Sequence, residues 1–189
     1  MKALLKENQD KTIVIMSLAG ILGFLSPWSQ HFMLLTPFYL LIVAVMLISS
    51  YTVNVKRMIT FLIISGLGFA LEVLGVETGF PFGTYWYSDV MGPRVWGVPL
   101  AIGANWGVLV VAATDVLKKW KVNNFMKGLV GATILLVFDL FMEPVAIKYG
   151  WWAWGNVSVP WTNYLAWWVI AFVLIQIELK WYKPLIEKP

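Results

Sequence analysis

Six apolar runs, at residues 13–25, 32–52, 58–76, 98–117, 125–147 and 161–179, leave little room for anything but membrane-crossing helices. Most come close to the ~20 residues a helix needs to span the hydrocarbon core. In lipid the backbone N–H and C=O groups of such a run must pair within the segment, which a helix alone does locally. A hydrophobic share of 60% and a mean hydropathy of +0.75 exclude an ordinary soluble domain. The first run is short and follows three lysines, as a signal peptide would. It lacks a small-residue cleavage site and leads into Pro27-Trp28, so a retained first helix is expected. No repeat, low-complexity tract or linker interrupts the pattern. The expected fold is an all-α, multi-pass bundle of about six helices, forming one domain over residues 1–189.

The charges orient this bundle. Of the fourteen Lys and Arg, all but Arg94 and Lys148 fall at the amino terminus, at Lys56-Arg57, at Lys118, Lys119, Lys121 and Lys127, or in the tail with Lys180, Lys183 and Lys188. Under the positive-inside rule this places both termini in the cytoplasm and the protein in the cell membrane. The net charge of +4 is then a matter of orientation and implies no nucleic-acid partner. With no Cys there is no disulfide framework or thiolate site, and a lone His31 excludes a multi-histidine metal centre; His31 itself is expected at the interface.

Against that apolar background the acids stand out. Asp139 and Glu143 lie four residues apart, hence on one helix face, and Pro144 is expected to end or kink the helix there. Counting 1.5 Å per residue from the inner lysines puts Asp139 at about 18 Å and Glu143 at about 24 Å. The same count puts Glu72 at about 22 Å and Asn105 at about 20 Å. Three acids and an amide at one depth on different helices suggest a shared polar cavity, since intramembrane acids are costly and usually functional. The plainer alternative is that Asp139 or Glu143 caps broken backbone or tunes packing. Asp115, three residues from Lys118, belongs at the inner interface, paired or solvated. Asp89 and Glu77 read as ordinary loop charges, with Glu77 alternatively a cap on the third helix, and Arg94 is the one cation able to fold toward the acids.

Two outer segments, 78–99 and 149–161, are rich in Gly, Pro and aromatics. For Trp151, Trp152 and Trp154 an interfacial belt is the expectation. For residues 82–87 a belt and an apolar ligand pocket stand level. Gly66 and Gly75 are candidates for close helix packing.

Taken in order, Glu72-x-x-Gly75, Thr78-Gly79-Phe80-Pro81-Phe82-Gly83-x-Tyr85-x-Tyr87, Gly92-Pro93, Gly97-Val98-Pro99, Asp139-x-x-x-Glu143-Pro144, Gly150-x-Trp152-x-Trp154 and Val159-Pro160-x-x-Asn163 form a recognisable set. From about residue 66 to residue 168 the chain resembles the membrane carotenoid-biosynthesis family that contains the CruF-type carotenoid 1,2-hydratases and the bisanhydrobacterioruberin hydratase. It looks shorter than the usual member, and Ser158 stands where Gly is expected before Val-Pro. The resemblance implies addition of water to the terminal double bond of a linear, lipid-soluble carotenoid without a cofactor. Carboxyl acid/base chemistry by Glu72, Asp139 and Glu143 suits that reaction, with Asn105 orienting water and Phe82, Tyr85, Trp86, Tyr87 and Asn163 binding the end group. Which acid donates stays open. Rival readings are a carotenoid or isoprenoid end-group cyclase, which needs the same acid but excludes water; the substrate-binding subunit of a vitamin importer; and a membrane protein without chemistry.

Overall fold

The computed structural model describes residues 2–50, 55–156 and 158–181. Within them run the helices α1 (Lys2–Phe24), α2 (Ser29–Ser50), α3 (Val55–Thr78), α4 (Leu100–Leu117), α5 (Asn124–Lys148) and α6 (Trp161–Trp181). Helices α2 to α6 are long and apolar enough to cross a membrane, and the apolar part of α1 is the shorter Lys11–Phe24. The protein is an all-α, multi-pass membrane protein.

Except for α4, the helices overrun the apolar runs into polar residues at one end or both, and at α5 a side-chain cap sets the boundary. Asn123 starts α5 by accepting the Met126 N–H at 2.8 Å on its side-chain oxygen. Val98 and Pro99 leave the expected fourth helix and form the short strand β3 (Val98–Pro99), which follows β1 (Tyr85–Tyr87) and β2 (Arg94–Val95). Residues 51 and 52 of the second run and tail lysines 183 and 188 lie outside the described residues.

Pro144 does not end α5, which continues to Lys148. A proline removes one backbone donor, and in a packed membrane bundle the neighbours absorb that loss, as α2 also does at Pro37. The true stop is Gly150, at φ +65°. The Trp151 N–H bonds Ala146 C=O at 2.9 Å and the Gly150 N–H bonds Ile147 C=O at 3.1 Å, the paired closure of a Schellman end. This turn throws the following chain back over the bundle.

Helix α5 packs along α6, and α3 along α4, with α6 also touching α3 and α4. Trp106 of α4 stacks on Trp167 of α6 with ring centres 4.3 Å apart, at the centre of the core. The close α3–α4 contact runs through Gly68, Gly103 and Gly107; Gly66 and Gly75, the candidates for close helix packing, do otherwise. Gly66 faces open space, and Gly75 makes room for Phe82 and Tyr85 of the outer loop. Helices α1 and α2 form a hairpin, tied by Ser17 and Tyr39 hydroxyls 2.7 Å apart, that leans on α4.

At the inner end Arg57 is buried between helices. It bonds Asp115 of α4 at 2.5 Å and lies 3.4 Å from Glu178 of α6, while Lys118 also reaches Asp115 at 3.4 Å. Glu178 is 1% exposed and is not among the acids that the sequence singles out. This clasp joins α3, α4 and α6 at the end opposite the aromatic loops.

Replacing Gly68 by Ala would set a Cβ 2.5 Å from the Cβ of Trp106, an atom that cannot move without α4, whereas a Cβ at Gly66 meets nothing within 4 Å. Gly68→Ala is therefore expected to destabilise the protein by about 1–3 kcal/mol, and Gly66→Ala to leave it unchanged or slightly stabilised. Thermal unfolding in detergent compares the two.

Candidate functional site

The two outer loops meet in an antiparallel pair of strands, β1 (Tyr85–Tyr87) and β4 (Trp152–Trp154), with Tyr85 opposite Trp154 and Tyr87 opposite Trp152. Strand side chains alternate. Tyr85, Tyr87 and Trp152 accordingly point down and are buried, and Trp154 joins them half-buried, while Trp86 faces outward and is 52% exposed. Trp86 thus lies away from the pocket it was expected to line. The belt expected of Trp151, Trp152 and Trp154 also gives way. Trp151 and Trp152 are buried, and the indoles of Trp152 and Trp154 donate to Glu143 at 3.1 and 3.0 Å.

Each inward strand serves one acid. Glu72 of α3 accepts the hydroxyls of Tyr85 at 2.6 Å and Tyr87 at 2.8 Å on one oxygen and the Trp106 indole N–H at 3.0 Å on the other. Glu143 of α5 accepts the two β4 indoles on one oxygen and the Asn163 amide at 3.3 Å on the other. Asp139, one turn below on the same face and 0% exposed, shares that amide, accepting it on Oδ2 at 3.1 Å. Its Oδ1 is buried with no hydrogen-bond partner among the described residues. Asn105 of α4 is 9% exposed, and its side chain likewise meets no partner among the described residues.

All of these groups except Trp86 line one cavity of about 630 Å³, within the range of ligand pockets. The structure brings together Glu72, Asn105, Asp139, Glu143, Phe82, Tyr85, Tyr87 and Asn163 from the expected set. Apart from Ser17 and Thr36, the rest of the wall is apolar or aromatic, including Met142, Trp151, Trp152 and Trp167. Helices α1 and α2 supply a wall that the sequence did not assign to the site, through residues such as Ile21, Phe24 and Leu35.

Arg94 does not enter the cavity. It bonds Asp89 and donates to the Tyr87 carbonyl at 2.7 Å, bracing the loop from outside. His31 lies against Trp28 with ring centres 5.7 Å apart, away from the acids. Among the described residues no group of His, Cys, Asp and Glu is arranged to hold a metal ion.

The β4 indoles and Trp106, which bond the acids and line the cavity, are the side chains of the candidate site that sequence reasoning missed. The alternation Gly150-x-Trp152-x-Trp154 was the available signal, since a period of two puts both indoles on one side of a strand.

Residues 32–189 match the family described as carotenoid biosynthesis protein. The chain is also 32% identical over 108 residues to the bisanhydrobacterioruberin hydratase of Haloarcula japonica, an alignment covering 52% of this chain and 36% of that protein. It therefore spans little more than a third of the length of that curated relative. No solved structure matches it with significance.

Removing one donor from a buried carboxylate leaves that oxygen short of a partner. Tyr87→Phe is expected to cost about 1–3 kcal/mol of stability, read by thermal unfolding in detergent. The phenols of Tyr85 and Tyr87 are held well above their usual value of 10.0, first by burial and then by the neighbouring Glu72. A raised folded value favours the neutral phenol. The stability it contributes is whole below the unfolded value and is lost as pH rises toward the folded one. In an alkaline titration followed by phenolate absorbance, the Tyr85→Phe/Tyr87→Phe double variant should match the parent near pH 10 and differ only in the step that accompanies unfolding.

Proposed function

The chain belongs to the carotenoid biosynthesis protein family, and on that footing we propose that it hydrates the terminal, trisubstituted double bond of an acyclic carotenoid by carboxyl acid/base catalysis. The observation that carries this reading is Asp139 Oδ1, a buried acid oxygen without a partner that belongs to a residue lining an apolar cavity. The two glutamates each receive three donors and are built as acceptors. Asp139 receives one and keeps an oxygen free to carry a proton.

The chemistry follows from that division. Asp139 gives its proton to the less substituted alkene carbon, whose π electrons form the new C–H bond, and a tertiary cation remains. Aromatic faces around the cavity, Trp106 and Trp167 among them, stabilise the positive charge. A water held by the unpaired Asn105 amide adds its oxygen to the cation. The proton it releases goes to a carboxylate. Glu143, which shares the Asn163 amide with Asp139, takes that proton and returns it to Asp139. Glu72 is the second acceptor on the facing helix. The sum is alkene plus water giving a tertiary alcohol, with no electron transfer.

Support for water as a reactant comes from Asn105: a cavity meant only to cyclise would have little use for an unpaired amide. Support for a lipid-borne substrate comes from the roof. Phe82, Tyr85, Met91, Trp151 and Trp152 are all buried beneath the outer surface, which disfavours entry of a water-soluble vitamin from above.

Expression in cells that make an acyclic carotenoid, with the pigment examined by mass, tests the proposal. A gain of one water is expected. Isomerisation without a mass change would point to a cyclase, and no change with several acyclic carotenoids would overturn the enzymatic reading. Asp139→Asn should lower turnover by roughly 10²–10⁴-fold while the protein still folds, measured as hydrated pigment per unit of purified protein.

A further inference from the structure

Part of the cavity wall is also apolar outer surface of the membrane-spanning helices. Ile21 of α1 and Phe138, Phe141 and Val145 of α5 line the cavity, yet all are more than a third exposed, Phe141 at 75%. Residues that belong both to a cavity wall and to the outer surface mark its rim, which Leu35 of α2, 55% exposed, also joins. Phe138 lies ten residues before the outer end of α5, about 15 Å down the helix, so this rim sits in the hydrocarbon layer.

Helix α1 forms one jamb. It is anchored to α2, with Gly23 against the Phe32 ring and Ser17 on Tyr39. Its tip meets the end of α5, where the Tyr149 hydroxyl donates to the Phe24 carbonyl at 3.1 Å and the two rings lie 5.0 Å apart. Below that tip, side chains of both helices face the same cavity. Gly20, on the α1 wall, has no heavy atom within 4 Å of where a Cβ would stand. The acids lie beneath the strand pair, whose side chains donate to Glu72 and Glu143.

We propose that the gap between α1 and α5 is the lateral entrance and tail channel for a long acyclic isoprenoid. The end group reaches Asp139 while the rest of the chain passes Gly20 and trails into the bilayer. Helix α1 lies outside the matched span of residues 32–189, so this wall is a feature of the present chain rather than one supplied by the family match. The proposal deepens the hydratase reading and takes from it only that the ligand is a long, apolar polyene. An aqueous ligand would need an opening in the roof, and the acids with their unpaired oxygen beneath the strand pair give a plain lipid acyl chain nothing to engage.

The full chain, purified in nanodiscs from cells that make the acyclic carotenoid lycopene, reports occupancy by pigment absorbance per protein, whether or not hydration occurs. Wild type should retain pigment. Gly20→Trp, which adds its ring into the open channel, should lose it several-fold at unchanged yield and thermal stability. Gly66→Trp is the matched control, an open helical glycine on α3 that does not line the cavity, and it should retain pigment. Retention by Gly20→Trp, an equal loss at Gly66→Trp, or wild type carrying phospholipid and no pigment would each overturn the channel. Failure of hydration shows separately, as bound pigment without a gain of water.

Discussion

A carboxylate inside a membrane must find its hydrogen-bond donors within the protein, because lipid supplies none. That constraint organises the outer half of this molecule. Glu72 and Glu143 require six donor contacts between them, and the strand pair β1–β4 supplies four, two hydroxyls to one acid and two indoles to the other. The sheet is only three residue pairs long. Its alternation nonetheless turns four polar ring atoms toward the acids and leaves Trp86 for the interface. The roof and the acid site are therefore one construction, and loss of the strand register would strip both glutamates together.

The same construction decides what the cavity can receive. The rings that dress the glutamates also cover the aqueous side, which is why the proposed way in lies between α1 and α5, through hydrocarbon. At the other end, the Arg57 clasp with Asp115 and Glu178 holds α3, α4 and α6 at the inner surface. The two buried polar clusters thus fix opposite ends of the bundle, with apolar packing around Trp106 and Trp167 between them. Opposite charges compensate each other in the inner cluster. In the outer one neutral donors do the compensating, through tyrosine hydroxyls, indoles and an amide.

Much of this was legible residue by residue. Run lengths announced the spans, and counting helical rise from the lysines brought Glu72, Asn105, Asp139 and Glu143 to one level, where the structure gathers them around one cavity. Other features were misjudged for physical reasons that can be named. Pro144 looked like a helix end because the missing N–H is a local fact, while the neighbours that tolerate it are not. Trp152 and Trp154 looked like belt residues because hydropathy records their amphipathic rings and not their partners. Glu178 escaped notice because it sits close to Lys180 in sequence, although its burial depends on α3 and α4.

By itself the sequence determined that this chain crosses a membrane several times, which residues are too polar for that setting, and roughly how deep they lie, since these follow from composition and a fixed rise per residue. Tertiary structure alone decided that two loops more than sixty residues apart would pair, that their rings would satisfy Glu72 and Glu143, and that Asp139 would keep a bare oxygen. Those outcomes depend on register and on which helix faces which. Local periodicity does not encode either, because they are set by the joint requirement to pair every buried polar group and fill the core.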